Sequence, residues 1–172
     1  MPGGYGKTSS KWLTPPEFVE LLKPWQPIEL DPCSHRADFI RARRRIFQPK
    51  DPRRGGLFAD WKKLAGNGCA FVNPPWNNQN GILNLWCSKI IEEADRRVEI
   101  IALLPGYTDT GWYQNVFPHA DRICALRGRL SFRAEKNRAL KNPARFASHV
   151  FYFGRRKKTF ERAFNGKGIF LK

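Results

Sequence analysis

From Val98 to Leu104 every position except Glu99 is apolar, and Pro105-Gly106 ends the run. The stretch is far too short to cross a bilayer, and it lacks the alternation of a strand with one wet face. It therefore reads as a central strand covered on both sides. Such a strand needs neighbours of its own kind. Ile28 to Leu30, Ala70 to Val72, Arg122 to Leu126, Leu130 to Phe132 and Val150 to Phe153 have the composition to supply them.

The covering layers are legible between these strands. Thr14-Pro15-Pro16-Glu17 predicts a helix start capped by Thr14, with Phe18, Leu21 and Leu22 on one face and Pro24 and Pro27 closing it. Gly81 to Asp95 predicts an amphipathic helix with Ile82, Leu85, Trp86 and Ile90 on its apolar stripe, and Gly111 to Val116 a shorter one. Arg36 to Arg54 reads as a short helix, a short strand and an exposed loop, mobile at Arg53-Arg54-Gly55-Gly56, and Arg133 to Ala147 as an exposed loop. Helices alternating with strands, then strands at the end, predict an α/β fold: a mostly parallel sheet with an antiparallel edge and helices on both faces. The polar, Gly-rich residues 1–11 are expected to be a flexible segment, and residues 12–172 a single domain without a separate target-recognition domain.

Thirty-one Lys and Arg against fifteen Asp and Glu leave a formal charge of +16, which points to a polyanionic partner, nucleic acid first. No basic segment also carries a long apolar face, so a membrane surface is a poorer fit. Cys33, Cys69, Cys87 and Cys124 form no C-x-x-C pair, which gives neither a zinc knuckle nor a disulfide framework and leaves no metal site expected. With no signal-peptide core in the first ten residues, a cytoplasmic protein is expected. Gly6-Lys7-Thr8 has no strand before it and is not read as a phosphate loop.

In an open parallel sheet, ligands bind beyond the carboxyl ends of the strands. Three polar turns should converge there: Asp31-Pro32-Cys33-Ser34, Asn73-Pro74-Pro75-Trp76 and Pro105 to Asp109. In the second, Pro75 lacks an N–H and pushes Pro74 into an extended conformation, so the corner is stiff. The Asn73 side-chain oxygen and the Pro74 carbonyl are two fixed acceptors, suited to gripping an exocyclic –NH₂ by both hydrogens. Trp76 adds a flat face on which a base can stack.

That corner resembles the NPP[YW] motif of amino-directed DNA methyltransferases. The order of TPPEFVELL at Thr14 to Leu22, LDPCS at Leu30 to Ser34 and then NPPW is that of their gamma-type arrangement. The chain is most similar to the small phage-type DNA N-6-adenine methyltransferases. Asp60-Trp61, Leu104-Pro105 with Thr108-Asp109-Thr110 and Trp112, Leu126-Arg127-Gly128-Arg129-Leu130, and Ser148 continue the pattern over about residues 12 to 154. The sequence departs from the pattern where Asp31 is followed by Pro32, Cys33, Ser34 and His35 rather than a Gly-x-Gly turn, and where Tyr107 replaces an Arg.

The resemblance implies a Rossmann-like S-adenosylmethionine-dependent methyltransferase fold that methylates a flipped adenine in DNA with short or degenerate specificity, and a phage or prophage source. It implies Asn73, Pro74, Pro75 and Trp76 as catalytic. For the cofactor it places Thr14 and Pro15 near the methionine end, Asp31 near its amino group, Asp60 near its adenine amino group and Asp51 near its ribose, with Pro32 and Cys33 also cofactor-binding. Phosphates are assigned to Arg41, Arg43, Arg44, Arg45, Arg127, Arg129, Arg133, Lys136, Arg138, Lys141 and Arg145. Two other functions fit the residues: the same clamp acting on cytosine or RNA, and a basic domain binding nucleic acid on its tryptophans without catalysis.

Overall fold

The computed structural model describes residues 12–47, 55–76, 81–134 and 141–172. In chain order the strands are β1 (Trp12–Leu13), β2 (Leu30–Ser34), β3 (Arg44–Phe47), β4 (Cys69–Val72), β5 (Glu99–Pro105), β6 (Arg122–Leu126), β7 (Ser131–Ala134), β8 (Lys141–Pro143), β9 (Ser148–Phe153) and β10 (Gly168–Phe170). The helices are α1 (Pro16–Val19), α2 (Trp61–Ala65), α3 (Ile82–Asp95), α4 (Gly111–Val116) and α5 (Lys157–Phe164).

Seven strands form the main sheet in the order β10-β6-β9-β5-β4-β2-β3. β3, β2, β4 and β5 pair in parallel, whereas β9 is antiparallel to both β5 and β6, and β10 is antiparallel to β6. The sheet is thus mostly parallel in strand direction, but its antiparallel part is not confined to an edge. All six residues of β9 are buried, so an edge position would have left one of its two apolar rows in water. Its alternation sends Phe151 and Phe153 into one core and Val150 and Tyr152 into the other.

One face of the sheet is covered by α2, α3 and α4 through Trp61, Trp86, Ile90, Trp112 and Val116. The other is covered by α1, a 3-10 segment at Glu20–Trp25 and α5, through Phe18, Leu22, Trp25, Phe160 and Phe164. β5 serves both, with Ile100, Ala102 and Leu104 in one core and Ile101 and Leu103 in the other, as its apolar run requires.

Several local expectations are corrected. Thr14 does not cap the first helix: the capping position is Pro15, without a side-chain bond, and Pro24 lies inside the 3-10 segment rather than closing a helix. Leu85 is 44% exposed, because it sits about 100° round the helix from Trp86 and away from the buried stripe of Ile82, Trp86, Ile90 and Glu93. Gly56 is buried against the Pro32 carbonyl and the Trp86 ring rather than mobile, while Arg53 and Arg54 lie outside the described residues. The expected loop after Phe132 contains strand: β1, β7 and β8 form a separate three-stranded sheet. α5 and β10 were not anticipated, although Phe160 and Phe164 carry the i, i+4 spacing of a buried helix face.

Candidate active site

β4 is buried at all four positions and its carboxyl end delivers Asn73. Both ends of the Asn73 carboxamide are held. Its Nδ2 donates to Thr14 Oγ1 at 3.0 Å, and its Oδ1 accepts from Trp76 Nε1 at 3.0 Å. The same indole N–H also faces the Leu103 carbonyl of β5 at 3.3 Å, and the indole meets Phe132 of β7 edge-on, with centroids 5.1 Å apart. Pro74 is buried and Pro75 half-buried. The Thr-Pro-Pro and Asn-Pro-Pro-Trp motifs are therefore one site. Pro15, buried beside Thr14, sets the entry to α1.

The second turn adjoins it. Asp31 is 4% exposed and accepts the Cys33 N–H at 3.0 Å. Burial, and then the charge of Asp38, push its pKa well above the usual carboxylate range. Pro32 is buried and gives its carbonyl to the Gly56 contact. The Cys33 thiol is pushed up, first by burial and then by Asp31, against the pull of the Asn73 N–H directed at its sulfur. Cys33 thus stands beside Asn73, and the first two turns meet.

In place of glycines, side chains build the turn after β2. Asp38 Oδ2 accepts from Ser34 Oγ at 2.6 Å and from the His35 N–H at 3.0 Å. Arg45 reaches back to Ser34 Oγ at 3.1 Å and to the His35 carbonyl at 2.8 Å. The other Asp38 oxygen is buried and meets no N–H donor among the described residues, and the Asp38 carboxyl shares a side-chain hydrogen bond with that of Asp31. Two adjoining carboxyls, one of them buried, suit an ammonium group, which is what the methionine end of S-adenosylmethionine presents.

The third turn brings aromatic residues. The Gly106 N–H bonds the Ala147 carbonyl at 2.8 Å, and a Cβ on Gly106 would lie 2.6 Å from the His149 ring. Tyr107 packs on Phe146 with ring centroids 4.5 Å apart. Tyr113 Oη and His149 Nδ1 are 2.7 Å apart behind them, where burial lowers the His149 pKa and raises that of Tyr113 to about 12. Asp38, Phe132, His149 and Phe146 were missed from sequence; Phe132, His149 and Phe146 become part of the site only through a partner from another element, whereas Asp38 bonds Ser34 and His35, four and three residues before it.

Other expected residues are placed elsewhere. Asp60 caps α2 through the Lys63 N–H and pairs with Arg96 at 2.9 Å. Arg96 follows α3 and precedes β5, so this cluster lies at the amino ends of the strands, and Asp60 is not brought to Asn73. Asp51, Lys136 and Arg138 lie outside the described residues, as does the side chain of Lys141 in β8.

The basic set divides. Arg43 pairs with Glu29 at 2.8 Å, Arg44 bonds the Leu64 carbonyl, Arg45 closes the turn after β2, and Arg133 pairs with Glu17 at 3.0 Å. Arg41 is exposed, but it precedes β3 at the end of the sheet away from Asn73. Arg127 and Arg129, just after β6, and Arg145, just before β9, are exposed on the rim that holds Asn73. Among the described residues no cluster of His, Cys, Asp and Glu can hold a metal ion, and no helix is long and apolar enough to cross a membrane.

No curated protein and no solved structure matches the chain. A family model described as DNA N-6-adenine-methyltransferase (Dam) matches residues 6–164 of the 172, a span that includes Thr14, Asp31 and the Asn-Pro-Pro-Trp corner they surround. By that match the chain belongs to the DNA N-6-adenine-methyltransferase (Dam) family.

Proposed function

We propose that the chain transfers a methyl group from S-adenosylmethionine to the exocyclic amino group of an adenine swung out of a DNA duplex, at a short or degenerate target. The observation that carries this reading is the Asn73 carboxamide, fixed at both ends and set beside the buried Asp31 turn. When bound, S-adenosylmethionine supplies an electrophilic methyl on a sulfonium.

The chain's own residues do the rest. Asp31 and Asp38 receive the ammonium of the methionine end, with Pro32, Cys33, Thr14 and Pro15 shaping the surroundings. Asn73 Oδ1 and the Pro74 carbonyl take the two hydrogens of the adenine amino group and draw its lone pair out of conjugation with the ring. Positioning and preorganised acceptors then suffice, and the displaced proton passes to water. An amide oxygen has two lone pairs, so Asn73 Oδ1 can hold the Trp76 N–H and an amino hydrogen together. Trp76 also offers the extruded base a ring in place of its lost stacking. Arg127, Arg129 and Arg145 hold phosphates around the rim. Such an enzyme works where DNA and cofactor are both present, the cytoplasm of a bacterial or phage-infected cell.

Expression in a host lacking adenine methylation, followed by single-molecule sequencing of its DNA, tests the proposal. N6-methyladenine is expected, and it should vanish with Asn73→Ala. Methylated cytosine or methylated RNA would reassign the clamp. Absence of any methylation together with no thermal shift on S-adenosylmethionine would leave a non-catalytic nucleic-acid-binding domain.

A further inference from the structure

We propose that the Phe146 ring, backed by Tyr107, is the wedge that enters the duplex in place of the extruded adenine; this rests on the methyl-transfer reading above. A base swung out of a helix leaves a gap, and the loss of its stacking drives it back. An apolar side chain that occupies the gap restores contact to the neighbouring bases and holds the target outside. Such a side chain must be exposed, firmly seated, flanked by cations and close to the pocket that receives the base.

Phe146 is 37% exposed and packs on Tyr107, with ring centroids 4.5 Å apart and planes inclined by 54°. The β5–β9 ladder ends where Pro105 faces Ser148, and the two rings stand two residues beyond it, one on each loop. Both loops are anchored. The Gly106 N–H bonds the Ala147 carbonyl at 2.8 Å, the Tyr107 carbonyl accepts from Thr110 Oγ1 at 2.8 Å, and the Ala144 N–H bonds the Leu130 carbonyl at 2.7 Å. Gly106 is lodged against the His149 ring, so the pedestal has no room to sink.

The setting is that of a DNA contact beside Asn73. β5 separates β9 from β4, so the strand that follows Phe146 runs two strand spacings, about 10 Å, from the one that delivers Asn73. Arg145 directly precedes the ring, and Arg127 and Arg129 are exposed on the same rim, where phosphates on either side of the target would hold the duplex against it. Phe47, another exposed ring at this end of the sheet, is placed differently. It ends β3, on the opposite side of Asn73, with the Arg36 and Arg45 guanidinium groups over its ring.

The test measures kcat/KM on DNAs of one sequence, taken from a methylated position in the host DNA: the intact duplex, the duplex with a pyrene nucleotide opposite the target adenine, and the single strand. Pyrene fills the gap by itself, and a single strand has no gap to fill. Phe146→Ala should lower kcat/KM on the intact duplex by about tenfold or more, and by less than about threefold on the other two. Phe146→Leu, which is still apolar, should keep most of the activity. Equal losses with Phe146→Ala on all these DNAs, or no loss on the intact duplex, would overturn the assignment.

A binding measurement that needs no methyl transfer separates this inference from the proposed function. By fluorescence anisotropy, the wild type should bind a duplex with a single abasic site about tenfold tighter than the intact duplex, because the ring enters a gap already made. Phe146→Ala should lose that preference while its thermal unfolding midpoint stays unchanged. A wild type without the preference, or an alanine variant that keeps it, overturns the wedge whether or not the protein methylates DNA. A preference carried by Phe146 in a protein that methylates nothing would sink the functional reading alone.

Discussion

Under the proposed function, Asp31 is the residue at which folding and cofactor binding would be linked through one proton. Its folded-state pKa lies above that of an unfolded carboxyl, so the folded chain holds the proton more tightly. That contribution to stability is complete below the ordinary carboxylate range and is lost as pH rises through the raised value. A cation bound beside Asp31 favours the ionised form, so cofactor affinity should increase with pH over the same window. Calorimetric titration in buffers of different ionisation enthalpy should register proton release on binding, and Asp31→Asn should abolish both the release and the pH dependence. At the neighbouring corner, Asn73→Ala should reduce turnover to background while leaving the cofactor Kd within about threefold, because it removes an acceptor and little apolar contact. Trp76→Phe keeps a ring but loses the N–H; if stacking is its main role, the KM for DNA changes by less than about threefold, whereas Trp76→Ala loses on the order of 1–3 kcal/mol of base binding.

At the scale of elements, a buried carboxylate ties α2 to α3. Glu93 of α3 is fully buried, pairs with Lys89 at 2.7 Å and Arg96 at 2.9 Å, and accepts the Trp61 and Lys62 N–H groups at the start of α2 at 3.3 and 3.2 Å. It satisfies donors that a helix of five residues leaves open at its first turn. Glu93→Ala strands those N–H groups, leaving Lys89 only its Glu92 partner, and should cost about 3–5 kcal/mol in denaturant-induced unfolding. Since α2 leads directly into β4, the loss should also lower the yield of folded, cofactor-binding protein. Of the elements themselves, β4, β5, α3 and α4 were legible because each depends on a local apolar pattern. β7 overlaps the strand expected at Leu130 to Phe132, but its pairing with β1 was not legible, because it joins segments more than a hundred residues apart, and β8 was read as loop.

Across the whole molecule the excess charge is not spread evenly over DNA contacts. Binding to duplex DNA should weaken steeply with salt, as counterions released by phosphate neutralisation require. Replacing Arg127, Arg129 and Arg145 together should reduce the slope of log K against log salt by about 2 to 3, whereas replacing Arg43 and Arg44 should leave it nearly unchanged. Fluorescence anisotropy over a salt series distinguishes the two sets. Arg45→Ala should instead weaken cofactor binding, since this side chain closes the turn after β2. With rim cations suited to phosphates and no large added base-reading region among the described residues, methylation mapped base by base should show one to a few fixed positions around the modified adenine.

The sequence by itself determined that this chain alternates helices and strands, that β5 is central, and that a stiff Asn-Pro-Pro-Trp corner ends a strand. Those are local properties, set by runs of apolar side chains and by the missing N–H of proline. Tertiary structure decided where the long-range partners fall. It set β9 between β5 and β6, pairing Ile100 with Phe153, and joined the Thr14 hydroxyl to the Asn73 amide. It tied Arg43, Arg44 and Arg45 to protein acceptors and held Asp60 at the far end of the sheet. A polar side chain takes its role from whichever donor or acceptor the fold brings within about 3 Å, and the local sequence does not name that partner.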